Sequence, residues 1–333
     1  MIKFPSIDQF RHAIKAAKYL SRESNLPEVV RYEGTVKLHG TNAGISIRKN
    51  EIKYQSRNNL IDIGSDNCGF AGYMRGIEST EDYQSLIDEV KRYVGDTTEH
   101  IPVYGEWCGS DVQGGVGISD IGKKIFVIFD LIVGSGEVKK RFDVSELSLH
   151  YPDINVYNIH AFKTFEVEVD LNYPQIAQQK LIAITNEVEQ ECPVAKAFGV
   201  EGIGEGVVWK CVSKDNTTNA DLWFKVKGAK HSASKVKVLA EVDVEKIESM
   251  KKFVDYAVTE NRLNQGIDYL NEQHISIDIK SMGEFIRWVF NDVVKEESDV
   301  MEESGIEKKE LGKYVSPVAR EWFNAKLNEE VGL

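Results

Sequence analysis

Residues 36–42, with the sequence VKLHGTN, place Lys37 near the end of a predicted strand and directly before a turn that contains Gly40. A lysine amine in such a place can act as a nucleophile once it has lost its proton. A free lysine has a pKa of about 10.4 and is almost fully protonated at pH 7, so its surroundings must lower that pKa. The alternative is that Lys37 is an ordinary solvent-exposed lysine. The other motifs of the chain bear on the choice between these two interpretations.

A pair of lysines lies in another predicted strand, WFKVK at 223–227. Side chains alternate along a strand, so Lys225 and Lys227 point to the same side, where two ammonium groups can converge on an anion. The alternative is an exposed edge strand, which natural proteins often protect with lysine. The flanking Trp223 and Phe224 favour a strand with one buried face.

Other residues that could take part in catalysis or ligand binding lie on or beside further predicted strands. They are Arg57, Glu106 in YGEW at 104–107, Phe129 in FVIFD at 126–130, and Glu205 in EGVVWK at 205–210. The two glutamates are either ligand-binding groups or ordinary surface carboxylates.

Short apolar runs broken by glycine indicate strands in the first 237 residues, with periodic helical runs between them. Strands are predicted at 103–107, 125–133, 206–211 and 222–226, with a hairpin or meander between 31 and 54, and helices at 7–20, 82–94 and 174–189. Beyond residue 237 the spacing is helical, most clearly at 282–294, and Ser316 followed by Pro317 predicts the start of a last helix. We therefore predict an α+β domain over 1–240 and an all-α domain over 241–333.

The composition indicates a soluble, folded protein. Of the 333 residues, 42% are hydrophobic and 28% charged, which excludes collagenous, mucin-like and largely disordered chains. The longest apolar stretch, 125–133, is too short to span a bilayer and the amino terminus lacks a signal-peptide pattern, so we expect no membrane association and a cytoplasmic location. The four cysteines form no CxxC pair, which argues against a zinc ribbon and a disulfide framework.

The net charge of −12 by itself argues against a nucleic-acid protein, because phosphate binding depends on clustered Lys and Arg. The distribution of this charge along the chain weakens the argument against nucleic-acid binding. Residues 241–333 hold 12 basic and 21 acidic side chains, a net of −9, which leaves −3 for the first 240 residues. Residues 1–50 carry 9 basic against 4 acidic side chains, and 221–240 carry 5 Lys against the single Asp221. Two basic segments therefore lie in the nearly neutral first part.

Together the motifs resemble those of covalent nucleotidyltransferases, the superfamily of ATP-dependent ligases and mRNA capping enzymes, with KLHG at 37–40 as the nucleophile motif. Within that superfamily the chain most resembles the phage-type RNA ligase 2 family. DNA ligases usually have Asp before the glycine, whereas KxHG[AST]N is typical of RNA ligase 2 proteins, so His39 and Asn42 carry the distinction. The resemblance covers nearly the whole chain. Val36 departs from it, since relatives often have Glu there, and this bears on adenine selection.

The resemblance implies an antiparallel-sheet nucleotidyltransferase domain, ATP-grasp-like, followed by a small all-α domain. It implies an ATP-dependent RNA ligase that forms a lysyl-AMP intermediate and seals 3′-OH/5′-phosphate nicks in duplex RNA or RNA–DNA hybrid, an activity suited to RNA repair. Lys37 is then the nucleophile, Lys225 and Lys227 hold the α-phosphate, and His39 serves the later steps.

The resemblance also implies a set of nucleotide and metal ligands. They are Glu205 for Mg²⁺ or Mn²⁺, Asn42 for the nucleotide, Glu106 for the ribose, Arg57 for phosphate or sugar, and Phe129 for stacking on adenine, where the alternative is a core position. The helical domain would clamp the RNA through few phosphate contacts. Its candidates are Lys308, Lys309, Lys313, Arg320 and Lys326, for which surface solubility is the other explanation.

Two alternatives remain open. One is another covalent nucleotidyltransferase, a DNA ligase or a capping guanylyltransferase. The other is an RNA-binding protein that has kept the fold but lost the activity, although the set Lys37, Glu106, Glu205, Lys225 and Lys227 is intact. We expect a monomer, located in the host cytoplasm if the protein is of phage origin.

Overall fold

The computed structural model describes residues 1–24, 27–49, 51–95, 100–135, 138–212, 217–232 and 250–331. The chain divides into two compact units, Met1–Gly228 and Ala229–Leu333. The domain boundary predicted near residue 240 lies outside the described residues.

The first unit contains both strands and helices. Its strands are β1 (Asp8–Gln9), β2 (Val29–Lys37), β3 (Thr41–Arg48), β4 (Ile52–Ser56), β5 (Leu60–Ile61), β6 (His100–Gly109), β7 (Lys124–Ser135), β8 (Val138–Phe142), β9 (Val156–Asn158), β10 (Thr164–Asp170), β11 (Gly206–Lys210), β12 (Thr217–Thr218) and β13 (Phe224–Lys227). Its helices are α1 (Phe10–Ser24), α2 (Phe70–Ile77), α3 (Glu81–Val94), α4 (Gln175–Gln190) and α5 (Pro193–Ala197).

The strands form two sheets. In the first sheet the order is β1-β13-β11-β2-β10, and in the second it is β12-β8-β7-β6-β3-β4-β5, with β9 beside β7. Neighbouring strands are antiparallel except for the parallel pairs β1/β13 and β7/β9. This confirms the predicted α+β class with antiparallel sheets. The chain crosses from the first sheet to the second within the predicted nucleophile motif, because β2 ends at Lys37 and β3 begins at Thr41.

The two sides of the first sheet differ in character. On one side the rings of Tyr32 and Trp209 pack on Phe224, and Phe10 of α1 covers Phe224 at a ring distance of 4.9 Å. Because side chains alternate along β2, Lys37 points to the opposite side. The apolar side thus anchors the sheet, where truncating a buried aromatic typically costs about 3–5 kcal/mol, and leaves the other side for polar chemistry.

The first helix begins later than its apolar periodicity predicts. The backbone of Asp8 and Gln9 pairs with Phe224 and Lys225 of β13, so α1 starts only at Phe10. Strand pairing at the sheet edge therefore prevails over the helical periodicity of the preceding residues.

The second unit is helical, with a buried hydrophobic cluster of its own. Its helices are α6 (Met250–Ala257), α7 (Glu260–Glu272), α8 (Met282–Glu296), α9 (Ser298–Glu303) and α10 (Lys308–Val331). Within the described ranges, no helix has both the length and the apolar character that crossing a membrane requires.

The predicted start of the last helix at Ser316–Pro317 is wrong, because α10 starts at Lys308 and contains Pro317 in its interior. Proline has no N–H to donate to the preceding turn, so it normally ends or bends a helix. Here a stripe of fully buried residues continues across it. The stripe consists of Leu311, Val315, Ala319 and Phe323. Packing on both sides of Pro317 therefore maintains the helix.

A network of buried charges connects the two sheets of the first unit. The imidazole of His160 places Nδ1 3.2 Å from Glu33 Oε1 and Nε2 2.8 Å from Asp143 Oδ1. The other carboxylate oxygen of Asp143 lies 3.2 Å from Lys210 Nζ. Because each ring nitrogen faces a different carboxylate and an ammonium occupies the far side of Asp143, the cluster fits an ion network rather than a metal site.

We expect His160→Gln to destabilise the protein in a pH-dependent way. Burial opposes the imidazolium, but the carboxylates of Asp143 and Glu33 outweigh it and raise the pKa of His160 to about 9. An ordinary histidine has a pKa near 6.5, so the charged form contributes roughly 3 kcal/mol below that pH, and this is lost as the pH rises through 9. Denaturation at pH 6, 7.5 and 9.5 should show a deficit that shrinks with pH. His150→Gln, at an exposed histidine, is the control, and a deficit independent of pH would contradict the assignment.

Candidate active site

Two of the predicted active-site lysines lie on either side of one glycine in the first sheet. Gly206 of β11 is opposite Lys37 on β2 and opposite Lys227 on β13. Gly206 has a φ of +151°, and an added Cβ would lie 2.1 Å from the carbonyl oxygen of Val226. Only glycine fits here, and its missing side chain leaves the space between the two lysines open.

The carboxylate of Glu205 fills that space. Its Oε2 is 2.6 Å from Lys37 Nζ, and its Oε1 is 3.0 Å from Lys227 Nζ. His39 Nδ1 also lies 3.4 Å from Oε2. The Glu205 side chain is 3% exposed and that of Lys37 is 22% exposed, so the carboxylate is buried and the lysine side chain is partly exposed.

The charges at this site shift each other's pKa. Burial lowers the pKa of Lys37, and Lys227 adds to that effect, whereas the Glu205 and Glu106 carboxylates oppose it. Burial by itself would raise the pKa of Glu205, but Lys227, Lys37 and His39 hold it well below its usual range. The result is a fixed anion beside an amine whose proton is held less tightly than usual, as a lysine nucleophile requires.

The turn after Lys37 is held against the second sheet. The backbone N–H of Gly40 donates to Glu106 Oε1 at 3.2 Å, and an added Cβ on Gly40 would lie 2.3 Å from the carbonyl oxygen of Trp107. His39 lies outside the strand, because β2 ends at Lys37. His39 reaches Glu205 from the turn instead, since the close approach of Gly40 to β6 bends the chain there.

Asn42 provides an unsatisfied polar atom close to the turn. It lies directly opposite Glu106 in the pairing of β3 with β6. Its side-chain Oδ1 is buried and has no hydrogen-bond partner in the described part of the chain. A buried acceptor normally has a donor, so this position fits a bound ligand or water with an N–H or O–H group.

Lys225 lies two residues before Lys227 and points to the same side of β13. The strand pairs with β1 on one side, where Gln9 is opposite Lys225, and with β11 on the other. The pairing with β1 reaches Lys225 but not Lys227, and both lysines are half-buried rather than exposed.

Arg57 and Phe129 lie apart from this ion-paired group. Arg57 is exposed in the turn after β4 and makes no ion pair within the described residues. Phe129 is half-buried, and its ring contacts Phe4 edge-on at 5.3 Å. The structure thus joins Lys37, His39, Glu106, Glu205 and Lys227 through direct contacts and strand pairing, with Asn42 and Lys225 adjacent.

Lys210 is a residue that the motif analysis quoted within EGVVWK but gave no role. It is 4% exposed, and its Nζ donates to the carbonyl oxygen of Phe129. Alternation along β11 could have indicated it, because Lys210 and Gly206 share a side of the strand. Asp143 and His160, its partners in the ion network, carry no comparable sequence signal.

A comparison with protein-family models agrees with these motifs. The family model described as RNA ligase matches residues 30–227. No curated protein matches the chain. Solved structures of an RNA ligase from Naegleria gruberi are similar to this chain. Two variants with ATP and Mn give TM-scores of 0.40 and 0.43, at 15% and 16% sequence identity. A variant with AMP and Mn gives a TM-score of 0.40 at 15% identity. Each match covers 68% of this chain and 56% of the other.

Proposed function

Because the chain belongs to the RNA ligase family, we propose that it is an ATP-dependent ligase that seals 3′-OH/5′-phosphate nicks in duplex RNA or RNA–DNA hybrid, in RNA repair. The observation that carries this proposal is the position of Lys37, whose amine lies 2.6 Å from the buried Glu205 carboxylate, with Lys227 on the far side of that carboxylate. ATP is the proposed AMP donor and Mg²⁺ or Mn²⁺ the proposed metal.

In the first step, the Nζ of Lys37 loses its proton to solvent and attacks the α-phosphorus of ATP. An N–P bond forms, the bond to the leaving pyrophosphate breaks, and AMP remains on Lys37. Burial and Lys227 prepare the amine by lowering its pKa. Lys225 and Lys227 stabilise the negative charge that grows on the α-phosphate oxygens, and such electrostatic stabilisation is usually the largest single contribution to catalysis.

In the later steps, a 5′-phosphate oxygen of the nick attacks the AMP phosphorus and releases Lys37. The neighbouring 3′-OH then attacks the 5′-phosphate, and AMP leaves as the phosphodiester forms. His39 is the proposed participant here, because its Nδ1 lies 3.4 Å from the Glu205 carboxylate that also contacts Lys37. Its imidazole can hold or move a proton near the reacting phosphate.

Glu205 is the proposed metal ligand, since a carboxylate is the type of ligand that Mg²⁺ and Mn²⁺ prefer. Both of its oxygens contact ammonium groups, and the loss of the Lys37 charge leaves one of them available. A divalent cation there supplies positive charge to the phosphate and disfavours the ammonium form of Lys37.

The remaining ligands are assigned by their position and chemistry. Asn42 offers its unpaired buried oxygen, Glu106 is proposed for the ribose hydroxyls, and the exposed Arg57 for a phosphate or sugar. Phe129 is proposed to stack on the adenine, because its ring is only half-buried.

We propose that residues 1–240 form the catalytic domain and that residues 241–333 form a helical domain that clamps the RNA. Of the basic residues proposed there, Lys309 and Lys326 pair with Glu307 and Glu329. Lys308, Lys313 and Arg320 are exposed on α10. Lys313 and Arg320 are seven residues apart, which puts them on one face two turns from each other, and this face is the proposed phosphate contact.

We expect α-labelled ATP, with Mg²⁺, to leave acid-labile label on the protein, whereas α-labelled GTP should not. We further expect a nick in duplex RNA to be sealed faster than the same nick in duplex DNA, measured as joined product per enzyme. Faster sealing of DNA would favour a DNA ligase, and labelling by GTP would favour a guanylyltransferase. Binding of RNA with no labelling by either nucleotide would indicate a protein that has kept only the fold.

A further inference from the structure

Phe129 lies in an irregularity of the second sheet. In the pairing of β6 with β7, Tyr104 is opposite Asp130 and Gly105 is opposite Ile128, so Phe129 is an extra residue with no partner across the pair. Such a β-bulge interrupts the ladder and re-aims a side chain. The direction of the Phe129 ring therefore depends on whatever holds the bulge in place.

The buried ammonium of Lys210 is what holds the bulge. Its Nζ donates to the Phe129 carbonyl oxygen and lies 3.2 Å from Asp143 Oδ2. The same Nζ lies 5.9 Å from the centre of the Phe129 ring and 4.8 Å from that of Trp223. A buried cation is costly unless it is paired and hydrogen-bonded, and here the carbonyl, the carboxylate and two ring faces satisfy it.

The contacts continue from Asp143 to the strand of the nucleophile. Asp143 meets His160, and His160 meets Glu33 of β2. Glu33 precedes Lys37 by four residues on the same side of the strand, a separation of about 13 Å at 3.3 Å per residue. Lys210 pairs across the sheet with Glu33, as Gly206 does with Lys37. A chain of charged contacts thus joins the Phe129 bulge to β2.

We propose that Lys210, anchored by Asp143, is a positioning residue for the nucleotide, which fixes the Phe129 ring in the orientation that receives the adenine. This inference rests on the proposed function, in which Phe129 stacks on the base of ATP. Without the ammonium, the Phe129 carbonyl loses its donor and the bulge relaxes. A displaced ring weakens the ground-state binding of ATP, while Lys37 and Glu205 remain in place.

The test is a double-mutant cycle on Lys210→Met and Phe129→Ala. Methionine keeps most of the length of lysine but removes its charge. The concentration of ATP that gives half-maximal labelling should rise about tenfold in Lys210→Met, with the maximal labelling rate within about threefold of wild type. In the Phe129→Ala background, Lys210→Met should raise the ATP concentration for half-maximal labelling by less than a further twofold, because the effects of residues that act through one another are not additive. Lys180→Met, at an exposed lysine of α4, controls for loss of charge.

The possible outcomes distinguish a failure of the positioning role of Lys210 from a failure of the proposed function. Additive effects in the cycle, or a lower maximal rate with unchanged ATP dependence, would overturn the positioning role and leave the proposed function intact. If wild type takes no label from ATP, the proposed function fails and this inference with it. If Lys210→Met does not fold, Asp143→Asn takes its place in the cycle, since it keeps Lys210 but weakens the anchor, and it is judged by the same non-additivity.

Discussion

Replacement of Lys37 by arginine is expected to abolish the covalent AMP adduct completely. A guanidinium has a pKa above 12 and stays protonated, so it keeps the positive charge beside Glu205 but offers no lone pair to the α-phosphorus. The 2.6 Å contact with Glu205 can be replaced by an arginine–carboxylate contact, which preserves the local charge balance. The loss would therefore report on nucleophilicity rather than on charge. It is measured as acid-labile label from α-labelled ATP, beside Lys37→Ala.

A second assay shows whether the variant is otherwise intact. An RNA whose 5′ end is supplied already adenylylated bypasses both steps that involve Lys37, so the Lys37→Arg protein should still join it to a neighbouring 3′-OH. Retained joining together with lost labelling would show that Lys37 is needed to adenylylate the RNA but not for the final joining step. Labelling of Lys37→Arg or Lys37→Ala at the wild-type level would show that another group carries the AMP.

The sequence predicts the strands of the site better than it predicts which strands pair with each other. Alternation correctly puts Lys225 and Lys227 on one side of a strand, because that periodicity is a local property of the backbone. The contact of Lys37 with Glu205 joins residues 168 positions apart, and it depends on which strands become neighbours. Local pattern carries no such information. The family resemblance supplied both residues, but not the ion pair between them.

Two further features show where local patterns fail for physical reasons. The bulge at Phe129 comes from a register shift between β6 and β7, which the continuous apolar run at 125–133 does not reveal. Pro317 predicts a helix start, but buried residues on both sides of it, such as Val315 and Ala319, maintain a single helix. In both places packing over long sequence distances outweighs the local preference.

Replacement of Glu205 by glutamine is expected to slow the labelling step by roughly 100-fold, the upper end of the loss that is typical when even an outer-shell partner of a metal ligand is removed. The amide has nearly the same shape but no charge. It would leave Lys227 and Lys37 facing each other across an uncharged group, and it would remove the proposed metal ligand. Glu166→Gln, at an exposed carboxylate of β10 in the same sheet, is the matched control and should label at the wild-type rate.

The pH dependence of the Lys37 amine in the metal-free protein distinguishes this role from simple loss of structure. The Glu205 carboxylate opposes the lowering of the Lys37 pKa, because an anion stabilises the neighbouring ammonium. Its removal should lower that pKa further, so the free amine appears at lower pH. We therefore expect an amine-specific acylating reagent, with metal and ATP left out, to modify Lys37 of Glu205→Gln at lower pH than Lys37 of wild type. An unmoved pH dependence would mean that Glu205 does not act on the charge of Lys37, and a dependence displaced to higher pH would contradict the electrostatic account of the site.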